Sequence, residues 1–485
     1  MNGILAFLAL VLVVGVLVFA PSDGAGALVI CGVTAIVTGL LLSRIKAEKS
    51  FLLRLFVGGL LLRVLIGTVI YALNLQEFFG GDAFTYDFNG YALLQSWQGD
   101  AFAGSLVKRF ISDTGANAWG MFYLVASIYG VAGRNMLAVQ FFNAVLGAAT
   151  APVIFLCAQH IFQNNKVARY SAYFVAFYPS LVLWSSQGLK DGPIVFLLAL
   201  CVLATLKLGE NLSFKFILLL AGSLFALLSL RFYIFYMMIA AIAGAFTIGM
   251  RAMTAQGFLR QAVVIIVVGL SLTYVGVTRY ANVQYETFGN LEALQRTRSD
   301  LARSAESGFS NDADVSTTSG ALTAMPIGLT YLLLAPFPWQ LVSLRQSITL
   351  PEMIVWWLSV PLLVLGLWFA VKHRLRQASP VLIFISMLTL AYSLFQGNVG
   401  TAYRQRAQLL VFYFIFVAVG IVLVQEKRED RKRRISQEQR ELEARHLADL
   451  ANRRRSGPYP YQWNPGSESN QRTGTEIQPA AGSNQ

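Results

Sequence analysis

The sequence predicts an all-α, polytopic membrane protein with about twelve transmembrane helices. Three observations carry this. Of the residues, 56% are hydrophobic and only 13% charged, where a soluble domain carries about a quarter charged residues. Many apolar runs reach the roughly 20 residues needed to cross a bilayer. Those runs are continuous and lack period-two alternation, which excludes a membrane β-barrel. Each span is then expected to be helical, because backbone groups in lipid must be satisfied within the segment.

In chain order, spans are expected at Gly3–Ala20, Ala25–Leu42, Phe51–Leu73, Leu137–Phe162, Ala168–Ser185 and Gly192–Leu208. They continue at Phe214–Leu230, Phe232–Met250, Gln261–Val277, Ile354–Val371, Pro380–Leu394 and Ala407–Val424. The first run has no positive n-region, so it reads as a retained helix and not a cleaved signal. Orientation follows Lys and Arg in the short loops. Arg44, Lys46 and Lys49 mark one such loop, Lys166 and Arg169 a second, Arg251 and Arg260 a third, and Lys372–Arg376 a fourth. With the basic tail after Val424, all fall on the cytoplasmic side if both termini are cytoplasmic.

That orientation puts a long loop, residues 74–135, on the outer face. Its stretch Trp119–Val131 has apolar residues at helical spacing, so interfacial helices are expected there. A second large outer loop covers 278–323, with a mobile centre at Ser307–Gly320, and a short one covers Gln396–Arg406. The run 325–341 contains Pro326, Pro336 and Pro338 and is expected to be re-entrant or interfacial, since counting it as a span would invert Lys372–Arg376. The membrane domain therefore covers 1–424. Residues 425–455 read as a basic cytoplasmic helix, and 456–485, rich in Pro, Gly, Ser and Asn, as a disordered tail.

The net charge of +13 lies in short loops and the tail, where topology accounts for it, so no nucleic-acid partner is implied. Cys31, Cys157 and Cys201 sit inside apolar runs and form no disulfide framework. His160, His373 and His446 have no metal-ligand spacing with them.

Ionisable residues beside an apolar body are costly and therefore mark function. Asp82, with Asp87 as a possible second acid, follows the third span. A Gly-Gly turn with a capping aspartate would account for the same stretch locally. Lys108, Arg109 and Asp113 lie further along that loop, and Lys190 and Asp191 lie between the fifth and sixth spans. Arg231 and Tyr233 occupy the next outer connection, and Tyr403, Arg404 and Arg406 the last. A few acids among several bases, all on one side, suit a phosphate-bearing substrate. A carboxylate there could act as general base on an acceptor hydroxyl.

Several short motifs add to this. They are Gly81-Asp82-Ala83-Phe84-Thr85-Tyr86, Asn117-Ala118-Trp119-Gly120-Met121-Phe122-Tyr123-Leu124, Ile128-Tyr129-Gly130 and Phe141-Phe142-Asn143-Ala144-Val145. Phe177-Tyr178-Pro179-Ser180 and Leu189-Lys190-Asp191 complete the set. Over roughly residues 50–250 the chain resembles the GT-C class of polytopic glycosyltransferases, the superfamily of protein O-mannosyltransferases and bacterial lipid-linked sugar transferases. The resemblance implies an inverting hexosyl or pentosyl transferase using a polyprenyl-phosphate-linked donor. It implies a glycan, lipid or protein acceptor and a place in the bacterial cytoplasmic (inner) membrane. It assigns the catalytic acid to Asp82; the pattern of outer-face residues gives donor-phosphate binding to Lys190, Arg231, Arg404 and Arg406, and the substrate lining to Tyr86, Tyr233 and Tyr403. Many members carry adjacent acids, whereas here Ala83 follows Asp82 and Asp87 stands alone. Some members use a divalent cation such as Mg or Mn, and this lone pair leaves the metal open. Two other readings use the same residues: an O-antigen or exopolysaccharide polymerase, which would depend on the later arginines, and a lipid-linked oligosaccharide flippase or other transporter. The absence of an internal repeat and the near-absence of charge in the spans speak against transport.

Overall fold

The computed structural model describes residues 2–113, 119–249, 314–341, 344–395 and 397–455, with residues 269, 292, 294–296, 298–299 and 457. The expected span Gln261–Val277, most of the 278–323 loop and the tail 456–485 lie outside the described residues. The described chain is helical, with no strand element. It divides into two compact units, Met1–Val424 and Gln425–Gln485. The second is a helix to Arg455, with exposed, mostly charged side chains from Glu426 to Asn452.

Seven described helices are long and apolar enough to cross a membrane: Gly24–Ser43, Lys49–Ala72, Met136–Phe162, Asp191–Glu210, Leu344–His373, Leu375–Leu394 and Val399–Asn452. Five shorter apolar helices, Gly3–Phe19, Trp119–Ala132, Phe214–Leu230, Phe232–Thr247 and Thr318–Leu334, accompany them. Apolar side chains of the first two helices, Phe7, Leu10, Ile36 and Leu40 among them, face outward. That is the expected pattern where the surroundings are hydrocarbon and not water.

The Met136–Phe162 helix is the centre of the fold. It packs against Gly24–Ser43, Lys49–Ala72, Asn165–Phe177 and Asp191–Glu210, and most of its residues are buried. Its start is capped by Asn135, whose side chain accepts from Ala138 N at 2.8 Å. Its middle, Gly147-Ala148-Ala149, is small, and small residues let membrane helices approach closely. A Cβ at Gly147 would lie 2.4 Å from Ser185 Cβ and 2.8 Å from Arg63 Nε.

Three local expectations change. The run Ala168–Ser185 is two helices, Asn165–Phe177 and Pro179–Ser185, with an extended Tyr178 between them. Pro179 has no N–H to continue the first helix and disfavours helical geometry at the residue before it. The break orphans carbonyls at the first helix's end. Arg63, buried in an apolar helix, satisfies two of them, donating to Val175 O at 3.2 Å and Ala176 O at 2.7 Å, and it also donates to Ser185 Oγ at 2.8 Å. An arginine at such a depth persists only when its donors are used in this way.

The second change concerns the loop 396–406. The last helix already begins at Val399, so Tyr403, Arg404 and Arg406 are helical residues. Asn398 starts it, its side chain accepting from Gly400 N at 2.8 Å and its carbonyl from Ala402 N at 3.0 Å. The third concerns 325–341. A helix runs from Thr318 to Leu334, the chain breaks at Ala335–Phe337, and a 3₁₀ turn follows at Pro338–Gln340. Its last carbonyls are met from outside: Trp356 Nε1 donates to Leu333 O at 2.6 Å and Trp357 Nε1 to Leu334 O at 3.0 Å. The 74–135 segment folds as Gln76–Gly80, Asp82–Trp97, Ala101–Asp113 and Trp119–Ala132.

Candidate active site

Two carboxylates and three cations from four parts of the chain meet in the first unit. The link is Arg404. Its Nε donates to Asp191 Oδ2 at 2.7 Å, its Nη2 lies 2.6 Å from the same oxygen, and its Nη1 donates to Asp82 Oδ2 at 2.8 Å. One guanidinium thus ties the start of the Asp82–Trp97 helix to the start of the Asp191–Glu210 helix. Both acids stand in a first helical turn, where the helix dipole favours negative charge. Arg231 Nη2 approaches Asp191 Oδ1 at 3.9 Å, and Gln408 Nε2 donates to it at 3.3 Å. Gln408 is held in turn by Tyr392, whose hydroxyl donates to its Oε1 at 2.7 Å.

The segment that delivers Lys190 and Asp191 is held from below. Asn143 donates to the carbonyls of Gln187 at 2.7 Å and Leu189 at 2.8 Å. Gly67 lies directly under this turn, where a Cβ would come within 2.9 Å of Ser186 O. Arg63 fixes Ser185 just before it.

The two acids differ in access. The Asp191 side chain is 1% exposed and committed to its arginines, whereas that of Asp82 is 52% exposed. Lys190 is buried, and this desolvation, with Arg231 close by, lowers its ammonium to about 7. Arg231 is also buried, and its Nη1 has no hydrogen-bond partner among the described residues. Burial raises the Tyr86 phenol, and Asp82 and Asp191 add to the effect against Arg404 and Arg231. Tyr86 therefore stays a neutral hydroxyl beside the cluster. With Lys190 protonated, three cations against two carboxylates leave an excess of one positive charge; with it neutral, the charges balance.

One member of this cluster, Arg404, lines a cavity of about 980 Å³; Asp82, Lys190, Asp191 and Arg231 lie behind it and are not among the lining residues. Leu62, Ile66, Phe177, Val182, Leu183 and Ile348 give it apolar walls. Gly80, Gly81 and Arg404 bring it to the acids, and Arg345 adds a cation on its wall. An apolar chamber with a cationic end suits an amphiphile with an anionic head.

Other expected site residues go elsewhere. Asp87 accepts from Arg134 Nη2 and from the Tyr129 hydroxyl, both at 2.5 Å. Arg406 donates through Nη1 to Leu333 O at 3.0 Å and Ala335 O at 2.8 Å, and through Nη2 to Met353 Sδ at 2.8 Å. It closes the end of the Thr318–Leu334 helix. Tyr403 lines the cavity but donates to Glu352 Oε2 at 2.7 Å. Tyr233 lies under Arg231, 5.7 Å from ring centre to guanidinium, and faces Tyr392. From the sequence, Asp191 stands beside Lys190 without a role of its own, and none falls to Glu352 or Gln408. An acid within an apolar run was the available signal for Glu352. Gln408 carried no signal, being a neutral residue in a span.

Because Asp87 is engaged outside the cluster, Asp87→Asn should leave turnover within about twofold of wild type. It should cost at most about 1 kcal/mol, as for a partly exposed ion pair. A turnover assay and a thermal melt check this, and a large loss of turnover would return Asp87 to the site.

Among the described residues no group of three or more His, Cys, Asp and Glu side chains is placed to hold a metal ion. At the cluster itself both carboxylates are already paired with Arg404, so a divalent cation does not fit those side chains as arranged.

No family model matches the sequence, and no curated protein matches it. Among solved structures the chain is similar to the archaeal oligosaccharyltransferase AglB from Archaeoglobus fulgidus, determined with an inhibitory peptide and a dolichol-phosphate. The identity is 13% and the TM-score 0.38, over 64% of this chain. The match spans 43% of that structure, less than half of its length.

Proposed function

We propose that this protein transfers a sugar from a polyprenyl-phosphate-linked donor to an acceptor hydroxyl, at the outer face of the bacterial cytoplasmic membrane. The observation that carries the proposal is an apolar cavity of about 980 Å³ that reaches Arg404, the guanidinium that joins both acids of the cluster. The apolar walls would take the lipid, and Lys190, Arg231 and Arg404 the phosphate. Arg404 offers the fork geometry that matches phosphate oxygens, and Lys190 a point charge.

In the reaction, the acceptor oxygen attacks the anomeric carbon while the bond from that carbon to the phosphate oxygen breaks. The acceptor proton passes to Asp82, the acid with an exposed carboxylate. The lipid phosphate leaves with the bonding electrons, and the excess positive charge stabilises it. Asp191 holds Arg404 and Arg231 in place and touches neither substrate. Attack opposite the leaving phosphate inverts the anomeric centre.

The pH profile tests this reading. Lys190 is charged below its pKa and neutral above it. With that ammonium near 7, kcat/KM for the donor should fall as pH rises through about 7, because this ratio reports the free enzyme. Lys190→Gln should remove that limb and lower kcat/KM for the donor about tenfold or more, the worth of one charge-assisted hydrogen bond. The measurement is donor turnover by the protein in nanodiscs between pH 5.5 and 9, a range chosen to bracket the expected transition. An unchanged limb in the variant would remove Lys190 from donor binding.

A further inference from the structure

We infer a second lipid site, adjoining the donor cavity at Leu62 and Phe177, that takes an anionic phospholipid along the groove between the Gly3–Phe19 and Lys49–Ala72 helices. The groove has a volume of about 800 Å³. Thr68 is the one polar side chain along it, and apolar residues including Leu8, Val11, Leu61 and Leu65 line the rest. Near the start of the Lys49–Ala72 helix it meets a second recess of about 590 Å³, sharing Leu5, Gly58 and Phe177 with it. This recess is lined by Lys49, Arg54 and Arg169, with Glu48 as its one acid.

The charge balance at that end selects the ligand. Arg169 is paired with Glu48, its Nη2 lying 2.8 Å from each carboxylate oxygen, and its guanidinium also covers the Phe51 ring at 5.5 Å. Glu48 is thereby spent. Arg54 donates one bond from Nε to Ser50 O at 2.9 Å, and no acid in the recess remains for Arg54 or Lys49. An apolar channel opening on two uncompensated cations fits an acyl chain joined to a phosphate diester. A zwitterionic headgroup would bring its own cation into the same recess and lose that advantage. The nearby αL residue Glu48, with φ of 53°, is held in place by Arg169, so the recess is shaped before any lipid arrives.

The test uses the full chain in nanodiscs of phosphatidylcholine doped with a photoactivatable lipid carrying a diazirine on its acyl chain. One preparation carries a phosphatidylglycerol probe and the other a phosphatidylcholine probe, and labelled peptides are mapped by mass spectrometry. The glycerol probe should label the Gly3–Phe19 helix several-fold more than the choline probe. The Lys49→Gln/Arg54→Gln variant should bring the two to the same level. Equal labelling by the two probes in the unsubstituted protein would overturn the inference without any variant. So would full glycerol-probe preference persisting in the double variant. The Gly3–Phe19 helix lines the groove and not the donor cavity, so its labelling is read independently of sugar transfer.

Discussion

Turnover in an Asp82→Asn variant should fall by about 10²- to 10⁴-fold, the range that a positioned general base contributes, while donor binding stays within about threefold. The two effects separate because of geometry. Arg404 reaches Asp82 through Nη1 alone, while Nε and Nη2 hold Asp191. The amide oxygen of asparagine can keep the first contact, so the cationic cluster survives with its order intact. What is lost is the ability to take a proton at a position that solvent and acceptor can reach. Binding of a fluorescent polyprenyl-phosphate analogue and single-turnover transfer would be measured on the same preparation. Near-normal transfer would sink the general-base role. Loss of binding together with transfer would make Asp82 part of the phosphate site instead.

Asp191→Asn is expected to act on the protein before it acts on the chemistry. The carboxylate is fully buried between Arg404 and Arg231, with Gln408 on its other oxygen and Lys190 beside it. Removing one charge from a buried pair leaves the partner unneutralised, at a cost of about 3–5 kcal/mol. Here Arg231 would lose the carboxylate it approaches and Arg404 would keep only Asp82. The apparent melting temperature in detergent should drop by several degrees, and any folded fraction should bind donor differently because Arg404 is no longer held. An unchanged melt would show that the buried charge is balanced by something other than this acid.

The two variants thus divide roles that look alike in the primary structure. Both acids begin a helix, both follow a short turn and both touch the same arginine. Exposure and partnership distinguish them: Asp191 is buried with Arg231 and Gln408 as further partners, and both differences depend on what packs above each turn.

Much of the architecture was legible from composition and run length. The long apolar helices Gly24–Ser43, Lys49–Ala72, Met136–Phe162 and Asp191–Glu210 fall where the runs are, because a hydrocarbon surround leaves a segment of about 20 apolar residues few alternatives to a helix. The break at Tyr178 was hidden inside an apolar run, although Pro179 is its cause. The helical start at Val399 was hidden because Asn, Gly and Thr read as a loop, and the same Asn398 serves as its cap.

The site was legible in part. Asp82, Lys190, Arg231 and Arg404 stood out because a charge beside an apolar body demands a reason, and they come together. Arg406 stood out on the same grounds, yet its donors go to the carbonyl end of another helix. From the sequence, a charge that caps a helix and a charge that binds a ligand have the same signature.

What the sequence by itself determined is the medium and the material. This is a helical membrane chain, with its ionisable residues confined to few places because each is costly in lipid. What only the tertiary structure decided is partnership. Asp191 and Arg404 are 213 positions apart, and Asp82 and Arg404 are 322 apart. No local spacing rule reaches across such distances. Whether a buried charge is neutralised, caps a carbonyl or is left free for a substrate is set by which helix ends meet, and packing of small residues around the Met136–Phe162 helix sets that.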